Sequence, residues 1–163
     1  MKKLIVVLVA ALVLFGGYLL AAHLSGGAFP TLGLRLGGER GVLRRLATAF
    51  LEDIQFKDFK RAASYHAPDK QAAVDIPFII QRLFQVKPEA LDIMSHEIML
   101  CEIDSTSLRG RVKARVKFKE LLRGDIRTQE LMLYFERAGI GEPWHMKLED
   151  SLRQLEAEKG KKS

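Results

Sequence analysis

Between Gly110 and Glu120 a basic side chain falls at nearly every second position: Arg111, Lys113, Arg115, Lys117 and Lys119. On an extended strand that spacing puts five cations on one face. A phosphate backbone or an anionic lipid surface would recognise such a row. A nucleic-acid ribbon would also interleave aromatic rings for base stacking, and only Tyr134 qualifies on the face in question. The more economical reading is the solvated side of a half-buried hairpin, its charges offset by nearby carboxylates.

Other chemistry-bearing residues are scattered. His23, His66, His96 and His145 form no H-x-x-x-H pair and no Cys/His cluster, so no metal ligand set is expected. Cys101 is the only cysteine, which excludes an internal disulfide and leaves a lone thiol with no histidine at a recognisable spacing. Gly37-Gly38 and Gly41 lack phosphate-loop spacing and the Lys-Ser/Thr that would follow it. No cofactor is called for.

Charge narrows the partners. Of 26 basic residues, Lys2, Lys3 and Arg35 precede the first acidic residue, Glu39, so the remainder carries 23 basic against 20 acidic side chains. A surplus that small argues against a dedicated nucleic-acid binder.

The N-terminus carries the clearest signal. Lys2 and Lys3 precede 19 uncharged residues, Leu4 to Ala22. As a helix these span about 28 Å, close to the hydrocarbon thickness of a bilayer. Residues 1–24 therefore read as an uncleaved signal anchor that holds the chain in a membrane through residues 4–22, with a short cytoplasmic N-terminus and an extracytoplasmic domain. Removal of a signal peptide, leaving a secreted domain, is the alternative, although the apolar run exceeds the usual signal core and the exit at Gly26-Gly27-Ala28 is weak. Residues 25–41, with six glycines and a proline, read as a linker.

A domain over residues 42–150 follows. Leu43, Leu46, Ala47, Phe50 and Ile54 share a helical stripe, with Glu52 and Asp53 on other faces. Asp58 caps a short helix carrying Phe59, Ala62, Ala63 and Tyr65. Asp75 caps a third, with Pro77 in its first turn and Ile76, Ile79, Ile80, Leu83 and Phe84 buried. After Pro88 the apolar period falls to two, which predicts strands at 91–103, 109–121, 126–137 and 143–149. A two-residue turn at Arg123-Gly124 would set Val112 opposite Phe135, Ala114 opposite Leu133 and Val116 opposite Leu131, with Arg111 against Glu136 and Lys117 against Glu130. In the first hairpin, inward even-numbered residues would pair Leu100 with Val112, Ile98 with Ala114 and His96 with Val116. Residues 151–163 read as a basic tail, a frayed helix that ends in three lysines.

This order of elements resembles the NTF2-like superfamily, the cystatin-like α+β cone. It is most similar to the small exported or membrane-tethered bacterial members, including the lumazine-binding-like group. The resemblance is carried by Phe50, Asp58-Phe59, Ala62-Ala63 and Tyr65 in the first helices, and by Trp144, Met146 and Leu148 in the closing strand, and it covers about residues 40–150. It implies an α+β fold of about three helices packed on a curved four-stranded antiparallel sheet. It also implies a pocket at the open end of the cone, lined by Phe50, Tyr65, Phe84, His96, Val112, Val116, Gln129, Phe135 and Trp144. Enzymes of the superfamily keep acid-base groups inside the cone, which directs attention to Tyr65, His66, His96, Glu97 and Gln129. No inward carboxylate is evident beside them, and no catalytic residue is assigned. Fold analogy sets no function by itself. The sequence thus favours a membrane-anchored, non-catalytic interaction or scaffold module of the cell envelope, pairing with a second copy or an envelope protein through its sheet. A small-molecule or acid-base site inside the cone is the alternative.

Overall fold

A computed structural model describes residues 2–26 and 37–160, with side chains described over 7–26 and 37–153 and at residue 157. The fold is α+β: an N-terminal apolar helix, then a four-stranded antiparallel open sheet with helices packed against it.

Helix α1 (Lys2–Leu24) is long and apolar enough over Val7–Leu24 to cross a membrane or to serve as a signal sequence. Its end touches the domain. The ring Nδ1 of His23 accepts the Gly37 N–H at 3.2 Å, and Arg44 donates to the Gly26 carbonyl at 3.3 Å and to that of Ile98 at 3.0 Å.

Helix α2 (Gly38–Gln55) starts four residues inside the tract read as a linker; residues 27–36 of that tract lie outside the described residues. Its apolar stripe, Leu43, Ala47, Phe50, Leu51 and Ile54, is buried. At its C-terminal end Lys57 ties α2 to the sheet, its ammonium donating to the carbonyls of Pro88 and Leu91. Burial there pushes the Lys57 pKa down, against the pull of Asp92 and Glu89. Helix α3 (Phe59–Ala63) is capped as expected, Asp58 accepting from the Arg61 N–H at 3.0 Å. Helix α4 (Ile76–Phe84) is capped by Asp75, which accepts from the Phe78 N–H at 3.0 Å, and ends at Gln85 in the left-handed region.

The strands are β1 (Leu91–Ile103), β2 (Arg109–Glu120), β3 (Ile126–Glu136) and β4 (His145–Met146), ordered β1-β2-β3-β4. The closing strand is thus only two residues long. Helix α5 (Leu148–Gly160) follows, beginning three residues before the tail that was read as a frayed helix. It packs on β3 and α4, with Leu148 and Ser151 buried.

Strand faces follow the sequence pattern, but two registers do not. Val112 lies opposite Leu133, Ala114 opposite Leu131 and Val116 opposite Gln129, two residues from the expected pairing. The cause is the connection: four residues, Leu121–Gly124, replace the two-residue turn, with the Arg123 and Gly124 N–H groups both on the Glu120 carbonyl and Gly124 at φ +76°. A shift of two keeps every side chain on its face. In the first hairpin His96 does face Val116 and Ile98 faces Ala114, but bulges fall at Met94 and Met99. The second bulge turns Leu100 outward opposite Lys113 and brings Cys101 inward opposite Val112.

The inner face of the sheet closes against α2 and α4. Val112, Ala114, Val116, Phe118, Leu131, Leu133 and Phe135 pack with the α2 and α4 stripes in one core. Phe84 and Phe118 meet edge to face with ring centroids 5.1 Å apart.

Candidate functional site

Most of the residues expected to line an open cone have little solvent exposure. Phe50, Phe84, Val112, Val116, Phe135 and Trp144 are buried and belong to the core cluster. Gln129 points to the helices, where its Nε2 donates to the Leu83 carbonyl at 2.8 Å. His96 is half-buried at its place opposite Val116. Of the expected lining residues only Trp144 borders any of three surface clefts, and that cleft runs beside Glu39, Val42 and Arg137 rather than behind the sheet.

The Tyr65 hydroxyl donates to the Asp53 carboxylate at 2.8 Å, and the Arg61 guanidinium lies 3.4 Å from the other Asp53 oxygen. Asp53 is buried, so the domain does hold an inward carboxylate, contrary to the expectation that placed Asp53 on the polar side of its helix. Helical spacing alone cannot separate a solvent-facing aspartate from one that a later tyrosine covers. Burial and the Asp53 contact push the Tyr65 pKa up, which keeps the phenol a neutral donor. The trio therefore holds α2 against the segment after α3; a base would need an accepting oxygen open to substrate.

His66 is buried, its Nδ1 3.2 Å from the Ala63 carbonyl and its Nε2 without a partner. Burial holds its pKa below the ordinary histidine range. Cys101 is also buried, its thiol 3.3 Å from the Arg40 carbonyl, and burial pushes its pKa up, the opposite of an activated thiol. Among the described residues no three His, Cys, Asp or Glu side chains converge on a point that could hold a metal ion.

One polar cluster escaped the sequence reading. Arg137 is buried and its guanidinium lies 4.4 Å from the centre of the Trp144 ring. It pairs with Glu39 at 3.1 Å and donates to the Ser107 carbonyl at 2.8 Å, while the Trp144 indole N–H donates to Glu39 at 2.8 Å. Those two donors, with Trp144 the stronger, hold the Glu39 carboxyl below its usual range. The residues are 105 positions apart in sequence, so no local spacing announces them.

The outer face of the sheet is the most extended polar surface. Arg111 meets Glu102 at 2.5 Å, Lys113 meets Glu130 at 2.6 Å, and Arg115 reaches Glu130 at 3.0 Å and Glu97 at 3.8 Å. Lys113 and Arg115 together lower the Glu130 pKa. Lys147 pairs with Glu136 on the same side. Arg111 thus pairs with β1 and Lys113 with Glu130, in place of the expected Arg111–Glu136 and Lys117–Glu130 contacts, as the shifted register requires. Among these charges Leu100, Lys113 and Met132 lie side by side across three strands. Leu100 is 42% exposed.

No protein-family model, curated protein or solved structure matches the chain.

Proposed function

We propose that this chain is a membrane-anchored, non-catalytic interaction module of the cell envelope, of the NTF2-like cone type, that uses the outer face of its sheet to join a second copy or an envelope protein. The observation that carries the reading is the contrast between the two sheet faces. The inner face is sealed by packed apolar side chains. The outer face is left open and sets Leu100 and Met132 among paired charges, a mixture suited to a protein partner. Helix α1 supplies the anchor, with the domain on the extracytoplasmic side.

The test is chemical cross-linking of the full chain in its native membrane, followed by mass measurement of the detergent-extracted complex. A discrete dimer or heterocomplex that is lost in Leu100→Glu/Met132→Glu supports the reading. A monomer that retains one small molecule per chain moves the function to a ligand site. Recovery of the full chain in the aqueous fraction removes the anchor from the proposal.

A further inference from the structure

A second surface lies where α1 joins the domain. A cleft of about 520 Å³ is bordered by Arg40, Arg109, Arg111, Glu102, Asp104 and Tyr134. Its position relative to α1 is fixed by Gly26, two residues beyond the apolar window that ends at Leu24. A side chain at Gly26 would place its Cβ 3.0 Å from the Cβ of Arg40. Arg40 therefore stands beside the end of the spanning helix, and the cleft that it borders lies at the depth of lipid headgroups if α1 crosses a bilayer.

The charges in the cleft are not all cancelled. Glu102 is held by Arg111 at 2.5 Å. The oxygens of Asp104 accept from the Thr106 hydroxyl and from the backbone N–H groups of Leu108 and Arg109, and these bonds, with a smaller contribution from the Arg109 charge, lower its pKa. Glu39, next in sequence to Arg40, is taken by Trp144 and Arg137. The guanidinium groups of Arg40 and Arg109 border this one cleft and have no carboxylate within ion-pair distance among the described residues, although the Arg109 charge is near enough to Asp104 to help lower its pKa. A guanidinium offers a planar fork of donors that matches two phosphate oxygens. The Arg44 guanidinium, bonded to Gly26 and Ile98, adds positive charge at the same end of the domain.

We infer that the Arg40–Arg109 cleft binds the phosphate of an anionic glycerophospholipid at the membrane surface from which α1 emerges. The inference rests on α1 spanning the membrane but not on the sheet being a docking face. A bound headgroup here would fix how the domain sits on the bilayer, and so which way the outer sheet face points.

The experiment uses the full chain in non-ionic detergent, with phosphatidylglycerol, phosphatidylcholine or inorganic phosphate added, and reads bound mass by native mass spectrometry. One phosphatidylglycerol per chain is expected, with phosphatidylcholine retained at least about tenfold less, and Arg40→Gln/Arg109→Gln should lower phosphatidylglycerol retention by about tenfold or more. The control Lys117→Gln/Lys119→Gln removes the same charge from the sheet and should leave retention unchanged. Circular dichroism confirms that both variants fold. Equal retention of the two lipids overturns the inference, as does an undiminished signal in the Arg40/Arg109 variant. Inorganic phosphate binding without phosphatidylglycerol binding also overturns it, by assigning the cleft to a soluble anion. Partition of the chain without detergent tests the anchor separately: an aqueous chain that still captures phosphatidylglycerol through Arg40 and Arg109 would sink the spanning helix and keep the anion site.

Discussion

The Tyr65 hydroxyl donates to the carboxylate of Asp53 across 2.8 Å, and Asp53 is only 6% exposed. The bond joins helix α2 to the segment that leads from α3, and the adjoining Tyr65 carbonyl accepts the Met146 N–H at 2.8 Å, so one residue touches both a helix and the closing strand. Tyr65→Phe removes a hydrogen bond to a charged group that water cannot easily replace. It should destabilise the domain by about 1.5–3 kcal/mol in a denaturant titration. Restoring stability with Tyr65→Phe/Asp53→Leu would show that the pair serves packing rather than chemistry. The raised Tyr65 pKa has its own consequence. Its stabilising contribution is fully present below the ordinary tyrosine value of 10.0 and is lost as pH rises through the higher folded value. Tyr65→Phe should therefore flatten the alkaline limb of the stability profile.

Gly110 sets how closely β2 approaches α2. A Cβ there would stand 2.4 Å from the Leu43 Cδ1, and Leu43 is fully buried. Either the leucine leaves its place or the strand lifts from the helix. Gly110→Ala is expected to cost about 1–3 kcal/mol by overpacking. Gly110→Ala/Leu43→Ala should not simply add the two single losses, because truncating Leu43 vacates the space that the new methyl group at residue 110 needs. Thermal unfolding of the four proteins of that cycle measures the coupling.

The parts of this fold that were legible in the sequence are those governed by local pattern. The Asp58 and Asp75 caps, the change of period after Pro88, and the in-or-out assignment of β2 and β3 all depend on neighbours within a few residues. Registers were not legible to the same degree. The Leu121–Gly124 loop leaves the alternation around it intact, whereas the Met94 and Met99 bulges each flip the phase of β1 with no local mark in the sequence. The Met99 bulge reversed the roles of Leu100 and Cys101, since strict alternation had placed the leucine inside. The polar clusters were the least legible. Asp53 with Tyr65, and Glu39 with Arg137 and Trp144, are brought together by tertiary packing, and neither helix pattern marks its acidic member as buried or engaged.

Trp144 makes the second of these clusters easy to follow, because it is the only tryptophan in the chain. It is 6% exposed, so its emission should be blue-shifted in the folded protein. The folded Glu39 pKa lies below 4.5, so its stabilising effect is present above that value and is lost as pH falls through the lower folded value. Acid titration should therefore red-shift the emission below pH 4.5 as Arg137 and the indole lose their acceptor. In Glu39→Gln that acid step should be absent and the neutral-pH stability lower. The Glu39 side chain is half exposed, so solvent screening keeps the loss to about 1–2 kcal/mol. An identical acid transition in Glu39→Gln would assign the step to other carboxylates.

His66 should act in a separate pH window. The residue is 4% exposed, its Nε2 has no partner, and protonation would place a cation in that site. Glu149 favours the charged form, whereas Lys70 and His145 oppose it together with burial, the largest effect. The folded pKa is below 6.5, so the unfolded chain takes up the proton first. Stability from the neutral ring is complete above pH 6.5 and declines as pH falls from there toward the folded value. Denaturant midpoints measured from pH 8 to pH 5 should fall in the wild type and fall less in His66→Phe, which keeps an aromatic ring and removes the titrating nitrogen. The variant also relieves the unpartnered Nε2, so it should match or exceed the wild type at pH 5 even if the imperfect ring fit costs it stability at pH 8. Parallel pH profiles for the two proteins would mean that the buried imidazole gains a proton acceptor on acidification, and the search would turn to Glu149.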